Sequence, residues 1–264
     1  MIELFYFHDA TCGIKARLAL MEKGVRYTAR VLDRFELTRP EYLAINPKGV
    51  VPTLIHDGQI LFESSVICLY ADDAFSGPPL KPETALDRAR MYTWLKTIDE
   101  QYFKGIGSIT FGFAIRKKIL AQYTSEEGLE EYFQSVRVPE YRERRRSIVA
   151  LGPQAPAVRD GLHTLAGMIE TLDASLQHNA FAAGPRYSLA DACLTPLVMR
   201  LEVFGLARLW EERPRVADWW SRVQQRDSYQ RLLQESFPDQ YFQDMHELVG
   251  DIWPDVSGLL TESA

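Results

Sequence analysis

The chain contains little cysteine: there are three in 264 residues, at Cys12, Cys68 and Cys193. No two of them have the short spacing of a redox motif or a metal site. The five histidines are scattered as well and show no paired, metal-ligating spacing. We therefore predict no metal site, and the unpaired cysteines favour the reducing environment of the cytoplasm.

Long apolar runs, an excess of positive charge and glycine-rich loops are also absent. No stretch approaches the roughly 20 apolar residues that cross a bilayer, and the N-terminus lacks the basic region and apolar core of a signal peptide. Lys and Arg number 30 against 36 Asp and Glu, a formal net charge of −6, whereas phosphate contacts need a surplus of cations. There is no phosphate-cradling glycine loop and no Gly-x-Ser-x-Gly motif. We therefore expect neither a membrane nor a nucleic acid as a partner.

Residues 1–75 alternate between short apolar strands and helices. The strand signals are Ile2–Phe7, Arg26–Leu32 and a hairpin on both sides of Asp57-Gly58, a dipeptide typical of tight turns. Helix signals lie between the strands, including a weak one over Phe35–Ala44. The order β-α-β-α-β-β-α predicts a small α/β domain with one right-handed crossover and an antiparallel hairpin at the sheet edge.

Helix breakers cluster at Ser76–Pro82 and mark the best domain boundary. Beyond it, strand signals nearly vanish and apolar residues recur at helical spacing, as at Met91, Leu95 and Ile98. The sequence Ser188-Leu-Ala-Asp191 is a capping box ahead of a further apolar helix. We expect one domain at 1–75, a linker at 76–85 and an all-helical domain at 86–264.

The segment Asn46–Pro52, with the sequence Asn-Pro-Lys-Gly-Val-Val-Pro, is the most informative stretch. Pro52 cannot donate to a sheet ladder, and a cis bond before it would expose the backbone of Val51 to a ligand. Glu63 and Ser64 precede an apolar helix and are predicted to cap it, the serine hydroxyl satisfying an orphan amide. Such a helix end attracts anions. Together the two pieces suit an extended peptide that carries a carboxylate.

These two motifs, at this spacing around a strand hairpin, resemble the glutathione-binding half of the glutathione S-transferases. The Ser-x-x-Asp capping box is similar to the start of the buried helix in the other half of that family. The resemblance implies an α+β, thioredoxin-like N-terminal domain with an all-α C-terminal helical domain. It also implies that glutathione is the co-substrate. By the same resemblance, Val51 before a cis-Pro52 bonds the cysteinyl backbone of glutathione, and Glu63 and Ser64 bind its γ-glutamyl end.

Two further glutathione contacts follow from the resemblance. Many family members have Gln or Lys immediately before the valine, where this chain has Val50, so we expect Lys48 to supply that contact instead. Asp99 falls among residues that in this family face the glutathione of a second subunit, where it would pair with the γ-glutamyl ammonium of a homodimer. A solvated helix aspartate is the alternative for Asp99.

Residues 111–153 form an insertion that is similar to one branch of the bacterial β-etherases, glutathione transferases that cleave the aryl ether of lignin-derived dimers. The likeness rests on a Phe-Gly-Phe-Ala-Ile opening at Phe111, a Ser-Glu-Glu step, a Val-Pro-Glu turn and the arginines of Arg142–Arg146. It implies that Phe111, Phe113 and Tyr123 line an aromatic-binding cleft, with core packing as the alternative. We expect these arginines to form a solvated helix face, with an anion-binding patch as the alternative.

The group that ionises the thiol is expected at Ala10-Thr11-Cys12, after the first strand. Ala10 occupies the place where several classes of the family carry a catalytic serine. In one mechanism Thr11 or the helix-start amides donate to a glutathione thiolate that attacks an electrophilic carbon. In the other, Cys12 is itself a low-pKa thiol that forms a mixed disulfide with glutathione. The structural alternatives are a plain N-cap for Thr11 and a buried cysteine for Cys12.

Three functions remain open on this evidence. The leading hypothesis is a cytoplasmic, homodimeric glutathione S-transferase acting on a small aromatic substrate, with β-aryl ether cleavage as its sharpest form. The second is a non-catalytic interaction protein that kept the fold, which the missing serine at Ala10 supports. The third is a glutathione-dependent reductase or dehalogenase that uses Cys12. The aromatic tail from Phe237 to Trp253 is expected to be either a lid over the cleft or a partly ordered terminus.

Overall fold

The computed structural model describes residues 1–33, 36–238 and 240–261. Its sheet has four strands within these ranges, in the spatial order β2-β1-β3-β4. Strand β1 is parallel to β2 and antiparallel to β3, and β4 pairs antiparallel with β3. The strands are β1 (Ile2–Tyr6), β2 (Thr28–Val31), β3 (Thr53–His56) and β4 (Gln59–Leu61).

Three helices accompany the sheet: α1 (Thr11–Glu22), α2 (Pro40–Ile45) and α3 (Ser64–Ala74). The predicted order β-α-β-α-β-β-α and the edge hairpin are confirmed. At the hairpin, Asp57-Gly58 has φ values of 48° and 79°, the left-handed pair that a tight two-residue turn needs. Helix α2 covers the second half of the segment predicted as a weak helix, whose first residue, Phe35, lies outside the described residues.

The chain beyond Ser76–Pro82 is helical, as predicted. Its apolar stripe at Met91, Leu95 and Ile98 is buried, as helical spacing predicts. The helices are α4 (Ala85–Thr97), α5 (Phe103–Thr110), α6 (Arg116–Gln122), α7 (Glu126–Ser135), α8 (Pro139–Leu151), α9 (Pro156–Leu176), α10 (Leu189–Val203), α11 (Pro214–Gln224), α12 (Asp227–Ser236), α13 (Gln240–Val249) and α14 (Trp253–Thr261).

Helix α10 begins with the predicted capping box. The Ser188 side chain accepts from a backbone amide of the first turn, and the Asp191 side chain accepts from the Ser188 amide at 2.9 Å. The other carboxylate oxygen of Asp191 accepts from the amide of Ala182 and the indole of Trp219. This buried carboxylate therefore joins the start of α10 to α11 and to the loop that precedes α10.

Helix α1 is buried from Gly13 to Met21 because it lies between the sheet and the helical part, where it packs against α3, α10 and α12. Two charged side chains in this stretch, Lys15 and Arg17, are also fully buried. Arg17 donates to the Tyr27 hydroxyl at 3.1 Å and pairs with Glu235 of α12 at 3.3 Å. Buried charges need such partners, and here the partners tie the two parts of the chain together.

Helices α4, α5 and α6 form one long rod interrupted by two π-helical turns, Ile98–Tyr102 and Phe111–Ile115. Both turns keep right-handed helical dihedrals at their ends, so the rod continues through them. A π turn inserts one residue into the α-helical ladder and is frequent at functional sites. Asp99 lies in the first of these turns.

The segment 111–153, predicted to be an insertion, contains the second π turn and α6, α7 and α8, with a small apolar cluster around Ile119, Phe133 and Val149. The arginines of α8 brace it rather than forming a purely solvated face. The Arg146 guanidinium pairs with Glu130 of α7 at 2.6 Å and lies over the Phe133 ring, 4.5 Å from the centroid. Arg145 covers the ring of the half-buried Phe111 in the same way.

The tail after α12 is folded, so the expectation of a partly ordered terminus is wrong for its described residues. Val256 and Leu259 of α14 are buried, and α14 packs against α9. Helix α13 packs against α10 and the second π turn, and the Lys117 ammonium bonds the carbonyls at its C-terminal end. Among the described residues, every helix is too short or too polar to cross a membrane.

Candidate functional site

The loop before β3 presents the backbone of Val51 beside a cis Val51-Pro52 bond, as the proline motif predicts. Two side chains fix the loop from behind: the Tyr42 hydroxyl and the Asn46 amide both donate to the Val50 carbonyl, at 2.6 and 2.8 Å. The amide of Val51 has no hydrogen-bond partner among the described residues. The loop therefore presents an unpaired backbone donor, which is the kind of group that an extended peptide ligand uses.

Cys12 lies in the first turn of α1, and its Sγ donates to the Val51 carbonyl at 3.1 Å. The structure thus brings the candidate thiol and the proline loop together. The Cys12 residue is half-buried, and loss of hydration raises the pKa of its thiol to about 11, although the Lys15 ammonium and the helix-start amides act to lower it. This direction is opposite to the low pKa expected for a thiol at this helix end, and a catalytic role for Cys12 stays a prediction.

Thr11 is the first residue of α1, and Ala10 before it is the N-cap and offers no capping side chain. The alternative of Thr11 as a plain N-cap is therefore wrong. Thr11 is partly exposed, and its hydroxyl makes no hydrogen bond to another described residue. It stands next to the amides at the start of α1, where an anionic sulfur would be stabilised.

Helix α3 begins at Ser64, and its N-cap is Glu63 in a left-handed conformation with φ 64° and ψ 116°. The prediction that the Ser64 hydroxyl caps this helix is wrong, because no side chain caps it. The Ser64 hydroxyl has no partner among the described residues. A serine hydroxyl and uncapped amides at a helix start suit the carboxylate of a ligand.

Lys48 and Glu63 lie on the same side of this loop and form an exposed ion pair, with Nζ 2.8 Å from Oε1. The hydrogen bond that the Lys48 ammonium donates to Glu63, and the negative charge of that carboxylate, raise the pKa of Lys48. Lys48 therefore lies beside the predicted glutathione-binding residues, because its ion-pair partner, Glu63, is one of them. The prediction that it contacts glutathione directly stays a prediction.

Asp99 reaches the same region from the helical part of the chain. Its Oδ1 accepts from the buried ammonium of Lys15 at 2.7 Å, and this ammonium also donates to the Ser65 hydroxyl at 2.8 Å. Ser65 is the residue after Ser64 in the first turn of α3. Asp99 is thus a partner of Lys15 rather than a simple solvated aspartate, and the contact across a homodimer stays a prediction.

Two residues beside the site, Lys15 and Arg200, were not predicted from the sequence. Arg200 of α10 donates to the carbonyl of Asp9, just ahead of α1, and to the Tyr241 hydroxyl of the tail at 3.4 Å. Each is a cation within an otherwise buried helical segment. That mismatch between charge and burial is the sequence signal that could have singled them out.

The donors assembled here fit a small peptide with a carboxylate and a thiol. The unpaired Val51 amide suits an extended backbone, and the α3 start with the Ser64 hydroxyl suits a carboxylate. The uncapped start of α1, next to the Thr11 hydroxyl, suits a thiolate. Glutathione has all three groups.

Comparison with known proteins agrees with this geometry. The family models described as glutathione S-transferase N-terminal domain and C-terminal domain match residues 4–79 and 129–227. Protein LigF of Sphingobium sp. (strain NBRC 103272 / SYK-6) is 30% identical over 244 residues, which is 89% of this chain and 94% of LigF.

Two further matches are of similar extent. The crystal structure of beta-etherase LigF from Sphingobium sp. strain SYK-6 has a TM-score of 0.80 at 28% identity, covering 89% of this chain and 99% of that one. The tetrachloro-p-hydroquinone reductive dehalogenase of Sphingobium chlorophenolicum is 28% identical over 244 residues, 87% of this chain and 94% of that protein. With both halves matched, and a relative 30% identical along most of its length, this chain belongs to the glutathione S-transferase family.

Proposed function

We propose that the protein is a glutathione transferase whose bound glutathione attacks a hydrophobic aromatic electrophile, specifically the β-aryl ether of a lignin-derived dimer. The observation that carries the proposal is the likeness to the β-etherase LigF, which extends over nearly all of that structure. The site residues Thr11, Val51, Ser64 and Lys48 support the use of glutathione through the donors that they present.

The proposed reaction is a substitution at the carbon that bears the ether oxygen. The glutathione thiol loses its proton, and the thiolate is stabilised by the amides at the start of α1 and the Thr11 hydroxyl. Its sulfur forms a bond to the carbon, the carbon–oxygen bond breaks, and the electron pair leaves with the phenolate. The phenolate takes up a proton, so the products are a thioether and a phenol without any net oxidation.

An aromatic cluster of the tail supports an aromatic substrate. The rings of Phe237, Tyr241 and Phe242 contact one another, with centroid distances from 4.7 to 5.8 Å. Arg200 connects this cluster to the loop ahead of α1, because it bonds both Tyr241 and the Asp9 carbonyl. We place the aryl group of the substrate between the cluster and Thr11. Phe113 is buried in the core and is not proposed to line the cleft.

A second candidate is chemistry at Cys12, which its position beside Val51 and the likeness to the reductive dehalogenase favour. Here the Cys12 thiolate attacks the sulfur of a glutathione thioether, and the expelled carbanion takes up a proton. A second glutathione then attacks the resulting mixed disulfide, which regenerates Cys12 and releases glutathione disulfide. The raised pKa of Cys12 argues against this route.

The test is incubation of the protein with glutathione and a β-aryl ether dimer, followed by detection of the thioether and the phenol. Release of phenol with one thioether per phenol supports the proposal. A Cys12→Ser variant separates the two candidates: near-normal phenol release supports attack by glutathione, whereas abolished turnover supports the cysteine route. Binding to immobilised glutathione without cleavage leaves the family assignment intact and removes the ether substrate. Failure to bind glutathione favours an interaction protein.

We further propose that the protein is a cytoplasmic homodimer. Val66 of α3 and Tyr92 of α4 expose 49% and 45% of their surfaces to water. Burial between two copies would remove this surface from water. The free thiols of Cys12, Cys68 and Cys193 support a reducing compartment.

A further inference from the structure

Lys15 is a fully buried lysine that bonds Ser65, the residue after Ser64 of the proposed glutathione site. Its Nζ donates to the Ser65 hydroxyl at 2.8 Å and to the Asp99 carboxylate at 2.7 Å. One ammonium thus connects α1, the first turn of α3 and the first π turn of the long rod. Burying an ammonium without partners is costly, so this arrangement persists because both partners are in place.

The ammonium of Lys15 stays charged in this environment. Burial alone would lower its pKa, but the neighbouring Cys193 sulfur, when it is ionised, and the Asp99 carboxylate outweigh that effect, so the pKa lies above the ordinary value. The half-exposed Asp99 carboxylate accepts one hydrogen bond from the Lys15 ammonium, and the Ser65 hydroxyl accepts another. A buried ammonium with a raised pKa therefore lies against the first turn of α3.

This charge is close to the position of the reacting sulfur. Lys15 follows Cys12 by three residues in α1, and side chains at that spacing are neighbours on one helix face. The ammonium acts to lower the pKa of the Cys12 thiol, against the larger effect of burial. A thiolate placed at the start of α1 experiences the same field.

We propose that Lys15 is a positioning residue of the glutathione site: it holds the first turn of α3 against α1 and supplies the buried positive charge that favours a thiolate at the start of α1. This inference rests on the proposed use of glutathione. Lys15 acts on the sulfur through space and on the γ-glutamyl end by holding the first turn of α3, which contains Ser64, through its bond to Ser65, without contacting the substrate. Its loss therefore affects both the ionisation of the thiol and the affinity for glutathione.

The chain offers a matched control in Lys23. This lysine lies at the C-terminal end of the same helix, is also buried, and also bridges to α3, where it pairs with Asp72 at 3.0 Å. At about 1.5 Å per residue it lies about 12 Å further from the sulfur along the helix axis. Lys15→Met and Lys23→Met therefore remove the same kind of bridge, one near the sulfur and one far from it.

The first measurement is the rate of alkylation of Cys12 by iodoacetamide as a function of pH, without glutathione. Cys68 and Cys193 are fully buried, and a Cys12→Ala variant gives the background. We expect Lys15→Met to move the profile to higher pH, with alkylation about tenfold slower near pH 8, which corresponds to one pKa unit. We expect Lys23→Met to leave the profile unchanged. Lys15→Gln, which is also neutral, replaces Lys15→Met should the latter fail to fold.

The second measurement is steady-state kinetics, in which we expect Lys15→Met to raise KM for glutathione and to shift the pH profile of kcat/KM upward. A folded Lys15→Met protein with the wild-type alkylation profile would overturn the proposal, as would equal shifts in both lysine variants. Alkylation needs no glutathione, so it reports on Lys15 even if the transferase assay fails. Absence of transferase activity with a shifted alkylation profile would instead remove the proposed function.

Discussion

The Asp191 carboxylate accepts a hydrogen bond from the indole nitrogen of Trp219 at 2.9 Å, and both side chains are completely buried. The same carboxylate also accepts from Ala182 and Ser188. It is thus the common acceptor for donors from three segments of the helical part. Removing this carboxylate should lower the stability of the fold without altering the ligand site.

Replacing Asp191 by Ala should lower the free energy of unfolding by about 3–5 kcal/mol, because several buried donors lose their acceptor together. Trp219→Phe removes one donor and leaves the capping box, so its cost should be smaller. Urea unfolding followed by circular dichroism measures both changes. Equal losses in the two variants would contradict the role of Asp191 as the shared acceptor.

Replacing Ser64 by Ala should raise KM for glutathione about tenfold or more, because a hydrogen bond to a charged carboxylate contributes about 1.5–3 kcal/mol. The kcat should change little, since the hydroxyl is assigned to binding and not to the thiol. Isothermal titration with glutathione gives the affinity directly. Ser175→Ala, on the exposed side of α9, is the control and should bind glutathione normally.

Replacing Thr11 by Val should lower kcat/KM and move its pH profile to higher pH, because the thiolate loses a hydroxyl donor at the start of α1. Removal of one such donor typically costs about 10²-fold or more in rate. Thr11→Ser keeps the hydroxyl and should retain most of the activity. An unchanged pH profile in Thr11→Val would assign the thiolate to the helix amides alone.

The pH dependence of the insertion should follow Glu130. The hydrogen bond from Arg146 lowers the pKa of this carboxyl to about 2 from the ordinary 4.5. A folded pKa below the unfolded value means that the ion pair stabilises the fold above 4.5 and that this contribution is lost as the pH falls toward about 2.

Hydrogen exchange of α7 should therefore show weaker protection as the pH is lowered through this window, relative to a Glu130→Gln variant measured at each pH. The variant cannot form the ion pair, so its intrinsic pH dependence serves as the reference. Parallel curves for the two proteins would show that the Arg146–Glu130 pair does not hold α7 to α8.

Substitution of the exposed apolar residues should separate the proposed homodimer. A Val66→Glu or Tyr92→Glu variant places a charge where two copies would bury apolar surface, which opposes association. Sedimentation velocity of the wild type should give a dimer, and the variants should shift toward the monomer. Leu151→Glu, at an exposed position on α8, is the control and should sediment like the wild type.

The architecture could be predicted from the sequence because its signals are local. The Asp57-Gly58 turn, the proline before β3 and the capping box at Ser188 each act within a few residues, and all three were confirmed. The burial of the stripe that includes Met91 follows from helical spacing in the same way. Local chemistry therefore determines most of the element order.

The site could be predicted only in part, because its finer details depend on contacts between distant residues. Glu63 and Ser64 were predicted to cap α3 with the serine hydroxyl, yet no side chain caps it, and Glu63 holds the N-cap position with a positive φ that a glutamate rarely adopts. The buried position of the Lys15 ammonium depends on its hydrogen bond to Asp99. This residue follows Lys15 by 84 positions and contacts it only once the long rod packs against α1. The pKa of Cys12 depends on its burial, which no spacing reveals.

The first π turn fixes how the rest of the rod is oriented. A π turn contains one residue more than an α-helical turn, and each residue of an α-helix advances the azimuth by about 100°. Deleting one residue from Ile98–Tyr102 would let the turn close as α-helix and rotate α5 and α6 about their common axis. Phe111 and Lys117 would then face other directions, and the tail would lose its partner on α6. The length of this short turn therefore sets the direction from which the insertion and the tail approach the start of α1.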